Sequence, residues 1–205
     1  MMIDIYKIFW YNAGESIFVG RIAEMIEATC AFTGHRPKSF PWGYDENVPS
    51  CVLLKEVLAA QISALAERGV TDFLSGMAQG VDLWCAQIIL DLRKTNPALK
   101  LHAILPCEGQ ERRWTASAQE HYCSILAQAN EVIYVGQEYS QNCMLKRNRY
   151  MVDRASILLA VYNGIYRSGT GMTVRYAQKL GRETIIINPI LRDAKHSHNS
   201  QISGY

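Results

Sequence analysis

Apolar residues gather in six short runs along the chain: 26–34 (IEATCAFTG), 70–76 (VTDFLSG), 99–106 (LKLHAILP), 131–136 (EVIYVG), 156–164 (SILLAVYNG) and 183–189 (ETIIINP). Their length, β-branched content and bounding Gly, Pro or polar residues predict strands. Between them the apolar positions change to a helical period. Leu54, Val57, Leu58, Ile62 and Leu65 form one stripe, Val81, Trp84, Cys85, Ile88 and Leu92 a second, and Tyr122, Ile125, Leu126 and Ala129 a third. Val174 and Ala177 mark a further helix with Gly181 as its C-terminal stop.

Strands that are apolar on both faces and alternate with helices predict a parallel sheet covered on both sides. The expected fold is therefore a single Rossmann-like, doubly wound α/β domain with a mostly parallel sheet and helices on both faces. It is expected over residues 25–190, with an N-terminal extension at 1–24, whose order the sequence leaves open, and a polar tail at 191–205.

Composition adds limits rather than a function. With 205 residues, 49% of them hydrophobic and 20% charged, the chain can bury a full core. A formal net charge of +2 argues against a broad footprint for duplex nucleic acid and leaves a local basic patch open. No uninterrupted apolar run approaches ~18 residues, so no membrane insertion is expected. Asp4, Glu15, Arg21, Glu24 and Glu27 interrupt every candidate apolar core of a targeting signal. The six cysteines are scattered without a CxxC pair, and no His stands at zinc-finger spacing. They read as free thiols in a reducing cytoplasm, and no metal site is expected.

In doubly wound sheets ligands lie beyond the carboxyl ends of the strands, so the strand-to-helix turns hold the candidate chemistry. After the first strand, Gly34 permits close backbone approach, and His35 and Arg36 offer donors to an anion or a base; the same residues also suit a loop that merely leaves the sheet. After the second, Ser75, Gly76 and Gly80 outline an anion cradle at a helix N-terminus, although neither GxGxxG nor a P-loop is present. Asp82 can accept from ribose hydroxyls or simply favour the helix dipole, and Trp84 can pack in the core or stack on a base. Glu108, Arg112, Arg113 and Trp114 follow the third strand, where they can equally form a solvated helix start. Lys146, Arg147 and Arg149 cluster around Asn148 and suit phosphate. Ser168, Gly169, Thr170, Gly171 and Thr173 make a second flexible, hydroxyl-bearing turn able to wrap a phosphate. Two such turns in one sheet point to a phosphate-bearing ligand.

The series TGHRP, SGMAQGVD, KRNRYMVD and SGTGMTVRYAQKLGR, in that order over about residues 26–190, resembles the YpsA-like family of the SLOG superfamily. That superfamily includes the DNA-processing protein DprA and the Lonely Guy phosphoribohydrolases. The resemblance implies a nucleotide-derived small-molecule ligand, such as ADP-ribose, an NAD-like compound or a nucleoside phosphate, and requires no cofactor. It places the family's glycine, acid and tryptophan pocket on Gly80, Asp82 and Trp84, its phosphate loops on Gly76 and 168–173, and DprA's Arg-Asn-Arg on Arg147, Asn148 and Arg149. The phosphoribohydrolase loop PGGxGTxxE reads RSGTGMTVR here, with Arg175 near the position of the glutamate that cleaves the N-glycosidic bond. Asp82 and Glu108 are then the only candidate catalytic carboxylates, so binding or sensing is expected ahead of hydrolysis. DprA-like single-strand DNA binding is the further alternative; nucleic acid is the less expected partner, and a homodimer is left open.

Overall fold

The computed structural model describes residues 28–189, so the expected extension at 1–24 and tail at 191–205 lie outside the described residues. Six strands appear where the apolar runs place them: β1 Thr29–Gly34, β2 Asp72–Ser75, β3 Lys100–Leu105, β4 Glu131–Tyr134, β5 Ile157–Val161 and β6 Glu183–Ile187. Five α-helices lie between or beside them: α1 Pro49–Glu67, α2 Val81–Arg93, α3 Ala116–Leu126, α4 Cys143–Asp153 and α5 Gly169–Lys179. A 3-10 turn at Pro37–Ser39, absent from the sequence expectation, follows β1.

All five strand pairings are parallel, in the order β4-β3-β2-β1-β5-β6. The chain runs outward from β1 through β4 and then returns to place β5 on the other side of β1. Strand order therefore reverses between β1 and β5. The two strands flanking this point are the most deeply buried: Cys30, Ala31 and Phe32 of β1 and every residue of β5 are inaccessible or nearly so. That explains why both read as continuous apolar runs rather than alternating ones.

The sheet divides the core into two layers. On one face α1, α2 and α3 bring Leu54, Leu58, Ile62, Val81, Ile89, Tyr122 and Ile125 against Phe32, Phe73 and Leu105. On the other, α4 and α5 bring Met151, Val152, Val174 and Ala177 against Ala31, Leu74 and Leu158. The 19 residues of α1 are, by length and composition, long and apolar enough to cross a membrane, although no uninterrupted apolar run within them reaches that length. Its buried stripe, Leu54, Leu58, Ile62 and Leu65, belongs to the core under the sheet, and Lys55 and Glu56 interrupt its outer side.

Candidate functional site

Four segments meet at the carboxyl end of the sheet beside the β1–β5 reversal. The end of β1 delivers Gly34, His35 and Arg36, and the loop after β2 delivers Ala78, Gln79 and, in the first turn of α2, Asp82. Helix α4 contributes Arg147 and Asn148, and the N-terminus of α5 contributes Ser168, Gly169 and Thr170. Together they bound a hollow of about 270 Å³. The turn after β2 and the turn after β5, some 90 positions apart in the chain, thus share one cavity. A larger groove of about 530 Å³ is lined by Thr29, Asp72, Glu131 and the end of α4, toward the amino ends of the strands. The smaller hollow is the better candidate, because crevices at the switch point are where open α/β sheets bind ligands.

The α5 side of the hollow is a capped helix start. Ser168 Oγ accepts from Gly171 N–H at 3.0 Å and donates to the Ile165 carbonyl at 2.8 Å. The amides of Gly169 and Thr170, the first two of the helix, have no carbonyl within α5 to bond. Thr173, one turn on, donates its hydroxyl to the Gly169 carbonyl at 3.0 Å and accepts from Asn148 Nδ2 at 2.8 Å. Thr173 and Asn148 therefore fasten α4 to α5 and hold the hollow's wall, while Gly171 sits buried within the helix.

The turn after β2 is more self-contained than its glycines suggest. Ser75 Oγ accepts from Met77 N–H at 3.1 Å and donates to the Asp82 carbonyl at 2.8 Å, and the Ala78 N–H reaches Asp82 Oδ2 at 3.5 Å. Gln110 Nε2 donates to the carbonyls of Gly76 and Met77 at 3.3 and 3.2 Å. The Met77 and Ala78 amides are thus engaged inside the loop. Gly80 takes φ +90° as the residue before α2, and its bare Cα lies against the His35 carbonyl, so it joins two of the hollow's walls.

Asp82 and Arg147 form a buried ion pair, with Nη1 3.2 Å from Oδ2 and side chains only 9% and 5% exposed. The guanidinium rests where Gly76 lacks a side chain: a Cβ there would stand 1.2 Å from Nη1. Burial pushes the Asp82 carboxyl upward, opposed by the Arg147 charge and, more distantly, by Arg36. Arg147 Nε is buried and has no acceptor among the described residues. Asp82 therefore lines the hollow already paired with a guanidinium, which differs from the expected ribose acceptor.

His35 is buried, and burial holds its pKa below the usual imidazole value. Its Nε2 accepts the Asn163 N–H at 3.2 Å, which puts the remaining ring proton on Nδ1. The neutral form is favoured in the folded chain, so the stability it gives is present above the unfolded value of about 6.5 and is lost as pH falls through the lowered folded value. The melting temperature should therefore drop as pH falls below the unfolded value of about 6.5, and less so in His35→Gln. An equal drop in the two proteins, by differential scanning fluorimetry, would remove His35 as the cause.

Other expected residues sit elsewhere. Trp84 is a core residue: its ring packs 5.5 Å from that of Phe40, and Nε1 donates to Glu46 Oε1 at 2.8 Å. Trp114 lies edge-on to Tyr122 at 5.4 Å. Glu108 is exposed and lines a separate depression with residues 134–138, so it shares no cavity with Asp82. Arg149 faces a groove beside the hollow. Conversely Ser39, Gln79 and Met144 line the hollow without having been singled out as site residues. Among the described residues no three His, Cys, Asp or Glu side chains cluster as a metal site.

Fold and hollow together define a Rossmann-like α/β protein with a switch-point crevice bounded by glycine-bearing turns. The family profile YpsA, of the YspA SLOG family, matches residues 30–189, and the chain belongs to that family. It is 34% identical over 136 residues to a UPF0398 protein of Bacillus pumilus, covering 65% of this chain and 72% of the relative. It is 32% identical over 159 residues to the SPbeta prophage-derived protein YoqJ of Bacillus subtilis, covering 69% of this chain and 91% of the relative. DNA processing protein A from Helicobacter pylori, studied for its single-stranded DNA binding mode, superposes with TM-score 0.53 at 16% identity, covering 86% of this chain and 75% of that one. That likeness is one of fold.

Proposed function

We propose that the protein binds or senses a small nucleotide-derived ligand in the hollow, with a phosphate on the amides of Gly169 and Thr170. One observation carries the reading: the start of α5, the neutral His35 and the exposed Arg36 converge where strand order reverses. A helix N-terminus with two unbonded amides favours an anion. The Thr170 hydroxyl and the Arg36 guanidinium supply further donors. His35 Nδ1–H gives a neutral donor for a ribose or base oxygen. Asp82 and Arg147 act behind this surface, as the pair that fixes the loop.

Binding is favoured over cleavage of an N-glycosidic bond, because cleavage needs a carboxylate beside the sugar to stabilise developing positive charge. Asp82 is already paired with Arg147, and Glu108 lies outside the hollow. A cytoplasmic location belongs to the same reading, supported by six cysteines that are all free thiols.

Isothermal titration with AMP, NAD, ADP-ribose and a cyclic mononucleotide tests the proposal. At least one should bind, and Arg36→Ala and Thr170→Val should each weaken it by about tenfold, as expected for loss of a charge-assisted or buried hydrogen bond. Flat titrations across the panel, or unchanged affinity in both variants, would reject it.

A further inference from the structure

Next to the hollow, a groove of about 340 Å³ runs between α4 and α5. Arg149, Arg175 and Lys179 line it, and no carboxylate does. Among the described residues none of the three forms a salt bridge, although Lys55, Arg68, Lys94, Lys100 and Arg147 all do. Two of the cations are held on aromatic faces. The Arg149 guanidinium lies 5.4 Å from the Tyr176 ring, and that of Arg175 lies 3.7 Å from the Tyr166 ring while donating to the Tyr166 carbonyl at 2.9 Å. Stacking fixes the planes and leaves N–H edges free for a planar or tetrahedral anion. The nearby acid Asp153 accepts the Tyr176 hydroxyl at 2.7 Å and does not line the groove.

Groove and hollow adjoin. Asn148 lines both, and its hydrogen bond to Thr173 forms the wall between them. Three cations on one side with no counter-charge repel one another, and an anion laid among them relieves that repulsion. The hollow, at about 270 Å³, lies at the lower end of the size of small-molecule sites, and the groove of about 340 Å³ beside it offers room for a longer ligand.

We infer that the α4–α5 groove is a second anionic subsite, which takes the distal phosphate of a dinucleotide-type ligand whose first phosphate sits at the start of α5. The inference rests on the reading of the hollow as a phosphate site. It gives the ligand a length and a charge pattern: two phosphate groups joined through a nucleoside, not one.

The test compares AMP with the dinucleotide pApA by calorimetry, on the wild type and on the triple variant Arg149→Gln, Arg175→Gln, Lys179→Gln. Wild type should bind pApA at least about tenfold more tightly than AMP. The triple variant should lose that preference while its Kd for AMP changes less than about twofold, which also certifies its fold. Equal wild-type affinities, or a preference that survives in the variant, would overturn the second subsite and leave the hollow's reading intact. If neither compound binds wild type, both fall together. Affinity that keeps rising with oligonucleotide length, with a steep salt slope, would replace the discrete subsite with a strand-binding track.

Discussion

Arg147→Met should lower the unfolding free energy by about 3–5 kcal/mol, measured by urea denaturation. The guanidinium is buried between Gly76 and Asp82, and removing it leaves a buried carboxylate without its counter-charge. Asp82→Leu alone should be similarly costly, because the guanidinium is then the uncompensated charge. The double variant Asp82→Leu, Arg147→Met should cost clearly less than the two single losses combined, since residues in direct contact are non-additive and a buried pair exchanged for apolar groups is often close to neutral. Strict additivity would show that the two side chains act separately.

Gly80→Ala should have the next largest effect. A side chain at φ +90° is strained, at about 1–3 kcal/mol for such backbone, and the added Cβ would stand 2.9 Å from the His35 carbonyl and 3.1 Å from Pro37 Cδ. Both neighbours belong to the segment after β1, so relief requires that segment to move away from the start of α2. The variant should therefore melt lower and weaken the binding proposed for the hollow, because His35 and Arg36 travel with that segment. A variant that melted like wild type would mean that Gly80 is not the hinge between these walls.

The two effects mark where sequence reading reached and where it stopped. The strands were legible because β1 and β5 sit in the middle of the sheet and must be apolar on both sides, and even the edge strand β4 keeps its Val132-Ile133-Tyr134 signature. The stripe Leu54, Leu58, Ile62, Leu65 was legible for the same reason: one face of α1 meets the sheet. The convergence of the second and last glycine turns was legible from topology, since strand-to-helix turns of a parallel sheet all emerge at one end.

What was not legible depends on long-range pairing. Asp82 and Arg147 are separated by 65 positions, and nothing near Asp82 in the chain shows that a guanidinium will take its carboxylate. His35 accepts from the backbone 128 positions away, which sets its tautomer, and burial under the folded segments keeps it neutral. Trp84 stands at a spacing that serves core and rim equally, and its contact with Phe40 and Glu46 decides for the core only once the segment after β1 folds back over α2. Net charge also averaged away the local truth. A total of +2 conceals the concentration of Arg149, Arg175 and Lys179 in a single groove.

The central claim is that the hollow at the β1–β5 reversal receives a phosphate on the first amides of α5. A crystal grown with saturating ADP-ribose tests it most directly. The account predicts a phosphate within hydrogen-bonding distance of Gly169 N and Thr170 N, with Arg36 closing over it. Density for the ligand at the amino ends of the strands, beside Asp72 and Glu131, with the hollow left to water, would contradict it.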